Sequence, residues 1–99
     1  MILTTTNTIE GHSIKNYLGV VSGVDVSMPK TTISFNMEKY YENYENKINE
    51  VKEEAFQKLQ DNAYKLGANA VVGIALDIET MPTSGIIIVS ITGTAVMVV

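Results

Sequence analysis

Met37 to Gly67 reads MEKYYENYENKINEVKEEAFQKLQDNAYKLG. Its apolar side chains recur at threes and fours, so Met37, Tyr41, Tyr44, Ile48, Val51, Ala55, Leu59, Ala63 and Leu66 fall on one stripe of a single long helix. Ser34 or Asn36 is placed to cap the start, Glu38 suits the positive end, Lys65 suits the negative end, and Gly67 supplies a left-handed stop. The pairs Glu54 with Lys58 and Asp61 with Lys65 lie at helical spacing on the wet face. Unbroken, such a helix is about 45 Å long at a rise of about 1.5 Å per residue. That is more than the sheet of so small a domain covers, so its first half is expected to bend or to touch another chain.

The segments on either side change period. Tyr17 to Met28 (YLGVVSGVDVSM) sets Leu18, Val20, Ser22, Val24 and Val26 against Tyr17, Gly19, Val21, Gly23 and Asp25, the alternation of a strand. The two glycines on one face invite close approach by another element. Pro29, within Met28-Pro29-Lys30-Thr31-Thr32, cannot donate to a ladder and ends that strand. Ala70 to Thr80 (AVVGIALDIET) alternates again, with Val72, Ile74, Leu76 and Ile78 facing one way and Val71, Gly73, Ala75, Asp77 and Glu79 the other. Met81-Pro82-Thr83-Ser84-Gly85 is a turn. Ile86 to Val99 then forms a last strand that is apolar on both faces, with Ile87, Val89, Ile91, Ala95 and Met97 on one and Ile86, Ile88, Val96 and Val98 on the other. One helix about 10 Å wide covers about half of a four-stranded sheet nearly 20 Å across, at about 4.8 Å per strand. The second apolar face is therefore expected to meet the sheet of an identical subunit.

The fold class that follows is α+β: one long helix with a small antiparallel or mixed sheet, in one domain spanning 1–99. With 99 residues, 45% hydrophobic and 18% charged, the chain is a globular domain with a single core. A net charge of -4, with lysine the sole basic type besides one histidine, argues against nucleic acid as a partner. The absence of cysteine removes disulfides, thiolate metal sites and a cysteine nucleophile. Met1-Ile2-Leu3 runs straight into Thr4-Thr5-Thr6-Asn7, too short and polar for a signal peptide. No apolar run reaches the roughly 18 residues of a membrane span, so a cytoplasmic protein without a membrane partner is expected.

Four segments together resemble the YbjQ-like family of small, functionally uncharacterised bacterial proteins, sometimes labelled heavy-metal-binding. They are Leu3-Thr4-Thr5-Thr6-Asn7 with Ile9-Glu10-Gly11, Tyr17-Leu18-Gly19-Val20-Val21-Ser22-Gly23, Leu66-Gly67-Ala68-Asn69-Ala70-Val71-Val72-Gly73-Ile74, and Thr92-Gly93-Thr94-Ala95-Val96. The resemblance implies a ring, a homo-pentamer, in which strands of neighbouring subunits build a shared barrel. Between Val24 and Tyr44 the chain departs from the pattern: a longer Gly-rich insertion is missing, and Asp25 stands one place beyond the position directly after the strand glycine.

Three kinds of chemistry are open to these residues. Thr4, Thr5, Thr6 and Asn7 in one run, with Thr92 and Thr94 on one strand face, offer hydroxyls and an amide for a small ligand at subunit junctions, and the alternative is that threonines simply suit strands. Lys30, beside Phe35, Tyr40, Tyr41 and Tyr44, adds a charge and stacking surfaces suited to an anionic nucleotide-type molecule, or these aromatics are core and interface packing. Asp25, Asp77 and Glu79, with His12, form a possible set of ligands for a divalent metal, best matched to a hard cation because the donors are oxygens. The plainer reading of those carboxylates is an acidic strand end facing water. His12, between Gly11 and Ser13, has no partner set for nucleophilic catalysis, so no enzyme and no cofactor are expected. The leading expectation is a non-enzymatic homo-oligomer that binds a small ligand between subunits; the alternatives are a metal binder and a structural or protein-interaction ring.

Overall fold

Four strands and one helix follow along the chain in the order β1 (Ile2–Leu3), β2 (Ile14–Ser27), α1 (Met37–Lys65), β3 (Ala70–Met81) and β4 (Ile86–Val98). The computed structural model describes residues 1–28, 37–81 and 83–99, with the side chains of α1 from Tyr44 onward. Lys30, Phe35, Tyr40, Tyr41 and the two cap candidates Ser34 and Asn36 lie outside the described side chains. The sheet order is β1-β3-β4-β2, with β1 parallel to β3 and both other pairings antiparallel. This is the α+β class that the change of period predicts.

The helical stripe does its expected work over its second half. Val51, Ala55, Leu59 and Ala63 are buried, and Tyr44 and Ile48 pack partly buried against the same core. Gly67 ends the helix with φ +80°, its N–H donating to the Tyr64 carbonyl at 2.9 Å while Ala68 N–H reaches back to Ala63 at 3.1 Å. These two bonds satisfy carbonyls that the helix end would otherwise leave open, and only glycine adopts that φ without strain. Leu66, the last member of the stripe, is exposed because the chain has already turned away. On the wet face the side chains pair differently from the simple spacing. Gln57 donates to Asp61, and Lys58 leaves Glu54 aside to reach Asp25 on the sheet.

Gly23 is where helix and sheet meet. A β-carbon there would run into the Ala55 carbonyl oxygen and come within 2.7 Å of the Leu59 nitrogen, so α1 lies directly on the β2 backbone. Val21 beside it and Ile87, Val89, Ile91 and Ala95 on β4 complete the core under the helix. β3 lies beyond the helix's width: Leu76 and Ile78, which pair with Ile91 and Val89 and so share their face, stay 46% and 38% exposed. The helix also outruns the sheet. From Gly23 to the end of β2 at Ser27 is about 13 Å of strand at about 3.3 Å per residue, whereas Ala55 back to Met37 is about 27 Å of helix.

Two expectations from alternation need correction in β3 and β2. Gly73, at φ +62°, sits in a bulge between Val72 and Ala75, and its N–H turns away from β4 to donate to the Thr6 carbonyl at 2.8 Å. An extra residue in the bulge reverses the sides. Val71 and Ile74 therefore join the core under the helix, whereas Val72 packs on the far face with Ala70, Val96 and Val98. In β2 a register shift between Tyr17 and Gly19 leaves Leu18 packed on the helix side although Val20 faces the other way.

The far face is also not left wholly to another chain. Residues 4–13 connect β1, beside β3, to β2 at the opposite edge, and so must cross the sheet. They cross on the face away from the helix, where Ile9 and Ile14 pack on Val96, Val98, Ala70 and Val72. Asn69 closes that end. Its side chain donates to the Val98 carbonyl at 2.9 Å and accepts from Val98 N–H at 2.8 Å, taking the place of one residue of a neighbouring strand. Asn69→Ala leaves both Val98 groups without those partners and is expected to cost about 1–3 kcal/mol, read as a lowered denaturation midpoint together with faster amide exchange at Val98.

Candidate functional site: the open face of the sheet

Away from the segment that covers its lower end, the face opposite the helix is open and its composition is mixed. Cross-strand pairing sets Val20 beside Thr94, Ser22 beside Thr92, Val24 beside Ser90 and Val26 beside Ile88. On the other side of β4, Ala75 pairs with Thr92, Asp77 with Ser90 and Glu79 with Ile88. A band of four hydroxyls, Ser22 on β2 with Ser90, Thr92 and Thr94 on β4, thus runs across two strands, with Asp77 of β3 at its side. It is flanked by apolar side chains that are strongly exposed, with Val20 at 80%, Val24 at 46% and Val26 at 50%. Ser22 and Ser90 do not stand out in the sequence as site residues. Alternation puts Ser22 in phase with Val20, but their neighbourhood with Thr92 depends on a register that only the sheet defines.

The threonine run is a different structure from that band. Thr6 Oγ1 donates to the Thr8 carbonyl at 2.6 Å, so the 2.7 Å bond between the Thr4 and Thr6 hydroxyls has Thr4 as donor. Thr4 Oγ1 in turn accepts from Thr6 N–H at 3.1 Å. Both hydroxyl protons are therefore engaged in shaping the loop that feeds the Gly73 bulge, and the Asn7 side chain lies close to Gly73. Thr5 is exposed. Thr4 and Thr6 hence have a structural explanation that their sequence could not reveal. Thr92 and Thr94 belong to the open face, and Lys30 lies outside the described residues.

The carboxylates expected to share a metal are divided by the sheet. Asp25 pairs with Val89 and points to the helix side, where Lys58 Nζ holds it at 2.8 Å while also donating to the Val24 carbonyl at 3.0 Å. Asp77 and Glu79 do share one face, as their spacing requires, but it is the opposite face and lies two strands away. His12 is exposed in a turn closed by its own N–H on the Ile9 carbonyl at 3.1 Å. The physical reason for the split is parity: Asp25 alternates with Val24 and Val26, Asp77 with Leu76 and Ile78, and the register puts these two sets on opposite sides.

A cleft of about 430 Å³ also runs between α1 and the outer edge of β2, lined by residues that include Ser22, Val24, Lys58, Asn62 and Lys65. Asn62 donates to the Ser22 carbonyl at 2.8 Å, as Lys58 does to Val24, so helix side chains cap the carbonyls of this edge strand. Lys58 and Asn62 in this cleft are thus occupied in attaching the helix.

The family model YbjQ_1, described as "Putative heavy-metal-binding", matches residues 1–99. The chain belongs to the YbjQ family. Relatives carry the name UPF0145: one from Corynebacterium jeikeium is 38% identical over 108 aligned positions, covering 97% of both chains. Another, from Geobacillus kaustophilus, is 40% identical over 103, covering 97% of this chain and 96% of its own. A crystal structure of a protein of unknown function from Pediococcus pentosaceus, assigned to the DUF74 family, superposes with a TM-score of 0.74 at 22% identity, covering 100% of this chain and 98% of that one. That likeness establishes the shared fold. The resemblance read from the four segments is therefore correct at the level of family, and the YbjQ family remains functionally uncharacterised. No helix among the described residues is long and apolar enough to cross a membrane.

Proposed function

We propose that this chain is a non-catalytic, self-associating subunit whose copies close one another's open strand surface and hold a small polar ligand at the junctions. The observation that carries the reading is the open face itself. Val20, Val24 and Val26 remain exposed on it, along a strand that pairs well within the sheet, and on the helix side Leu76 and Ile78 are also left uncovered beyond the helix's width. An apolar patch of this kind on a small domain marks an interaction surface. Among the described residues no strand neighbours the outer side of β2 or of β3 beyond Ile74, which leaves both edges available to a second copy. The overhanging first turns of α1 point the same way. A pentameric ring is the form that the family resemblance suggests.

The ligand part of the reading rests on the hydroxyl band, because covering it with a second sheet turns Ser22, Ser90, Thr92 and Thr94 into the lining of a cavity between chains. Asp77 and Glu79 bring negative charge to that face, which favours a neutral or positively charged guest over an anionic nucleotide-type one. An anionic guest instead draws on Lys30. Calorimetry against a panel of nucleotides, sugars and polyamines distinguishes them, and silence across the panel reduces the reading to a structural ring.

Self-association has its own test. Light scattering at about 10 µM protein is expected to report a discrete oligomer. Val24→Lys, placed on the open face without touching the core, is expected to convert it to monomer with its circular dichroism unchanged. A stable, well-folded wild-type monomer at that concentration removes the reading.

A further inference from the structure

We infer that the heavy-metal description attached to the family does not extend to this chain, and that the residues carrying its family resemblance close the fold and hold no metal. Thiophilic and borderline ions such as Cd²⁺, Hg²⁺, Cu⁺ and Zn²⁺ need three or four converging ligands drawn mainly from thiolate, imidazole and thioether. The whole sequence contains no cysteine and one histidine, His12. Imidazole and thiolate therefore supply at most one ligand per chain.

Carboxylates do not complete the set. Asp25 is held by Lys58 on the helix side at 2.8 Å, and Asp77 and Glu79 stand on the opposite face. Among the described residues no three of His, Cys, Asp and Glu come together. The thioethers of Met1, Met28 and Met81 do not converge either. Met1 packs against the core, while Met28 follows β2 and Met81 ends β3, the strands on either side of β4 and so roughly 10 Å apart.

The segments that mark the family have other work. Thr4 and Thr6 shape the loop that meets the Gly73 bulge, Gly67 ends the helix, Asn69 stands in for a strand residue against Val98, and a β-carbon on Gly93 would come within 2.6 Å of Val71. Each is a backbone or packing requirement, and none presents an unshared donor to an ion.

The test is equilibrium dialysis of the untagged, folded full-length protein against micromolar Zn²⁺, Cd²⁺ and Cu²⁺ at neutral pH, with the bound metal counted per chain and the thermal midpoint recorded. Fewer than about 0.1 ions per chain and an unmoved midpoint are expected for every metal. Reproducible uptake of about 0.2 or more per chain, which includes one ion shared by five subunits, overturns the inference. His12→Ala and the pair Asp77→Asn with Glu79→Gln then report which donors were misjudged.

Discussion

Replacing Gly23 with alanine is expected to be among the most damaging single-methyl additions this chain can receive. The added carbon meets the Ala55 carbonyl and the Leu59 nitrogen, which are backbone atoms of a helix and cannot rotate aside as a side chain would. Relief requires α1 to lift from the sheet, which also breaks the bonds from Lys58 to Val24 and from Asn62 to Ser22 that tie the helix to the strand edge. Overpacking against an immovable neighbour costs about 3 kcal/mol or more. For a domain of this size that is a fall of roughly 12–24 °C in melting temperature. Gly67→Ala is the control. A β-carbon there meets nothing within 4 Å, and its φ of +80° is the whole penalty, about 1–2 kcal/mol. Comparable losses for the two variants, measured by thermal denaturation at one protein concentration, would mean that α1 does not lie on Gly23 as described.

Leu59→Ala is the second large effect. Leu59 is fully buried at the centre of the helix–sheet contact, so truncation leaves a cavity between α1 and β2 and is expected to cost about 2–5 kcal/mol. Leu66→Ala removes the same atoms from the same sequence stripe, yet Leu66 is 45% exposed, and its loss should stay below about 1 kcal/mol. Chemical denaturation of the two variants separates position on a helical stripe from burial in the core, and equal midpoints would contradict the core assignment.

Much of this architecture is legible in the order of the residues. Threes and fours from Tyr44 to Ala63 give the buried helical stripe, twos in Tyr17 to Met28 and in Ile86 to Val98 give strands, and Gly67 gives the helix stop. Of the two β2 glycines expected to admit a close approach, Gly23 receives the helix, whereas a β-carbon on Gly19 would meet only the end of the Leu66 side chain at 3.9 Å. Alternation fails where one residue is added or a register slips. Gly73 moves Val72 to the far face, and the shift after Tyr17 moves Leu18 to the near one. A glycine in a strand signals such a bulge without saying which side of it reverses.

The candidate site was less legible, for a reason of distance along the chain. Asp25 and Asp77 look equivalent as acidic residues on alternating strands, but they are 52 positions apart, and their faces depend on how β2 and β4 and then β3 and β4 are paired. The threonine run looks like a set of free donors until the bonds of Thr4 to Thr6 and of Thr6 to Thr8 are known. Ser22 and Ser90 come beside Thr92 and Asp77 through register alone.

By itself the sequence determined the local periods, the single helix and its stop, the absence of thiol chemistry and the family, because each depends on residue types at short spacing. The tertiary structure decided which carboxylates share a face, which hydroxyls are already bonded, and how much of the sheet the chain covers for itself. Those are contacts between residues tens of positions apart, and their geometry is set by strand register and by a bulge that reverses sides, neither of which local pattern encodes.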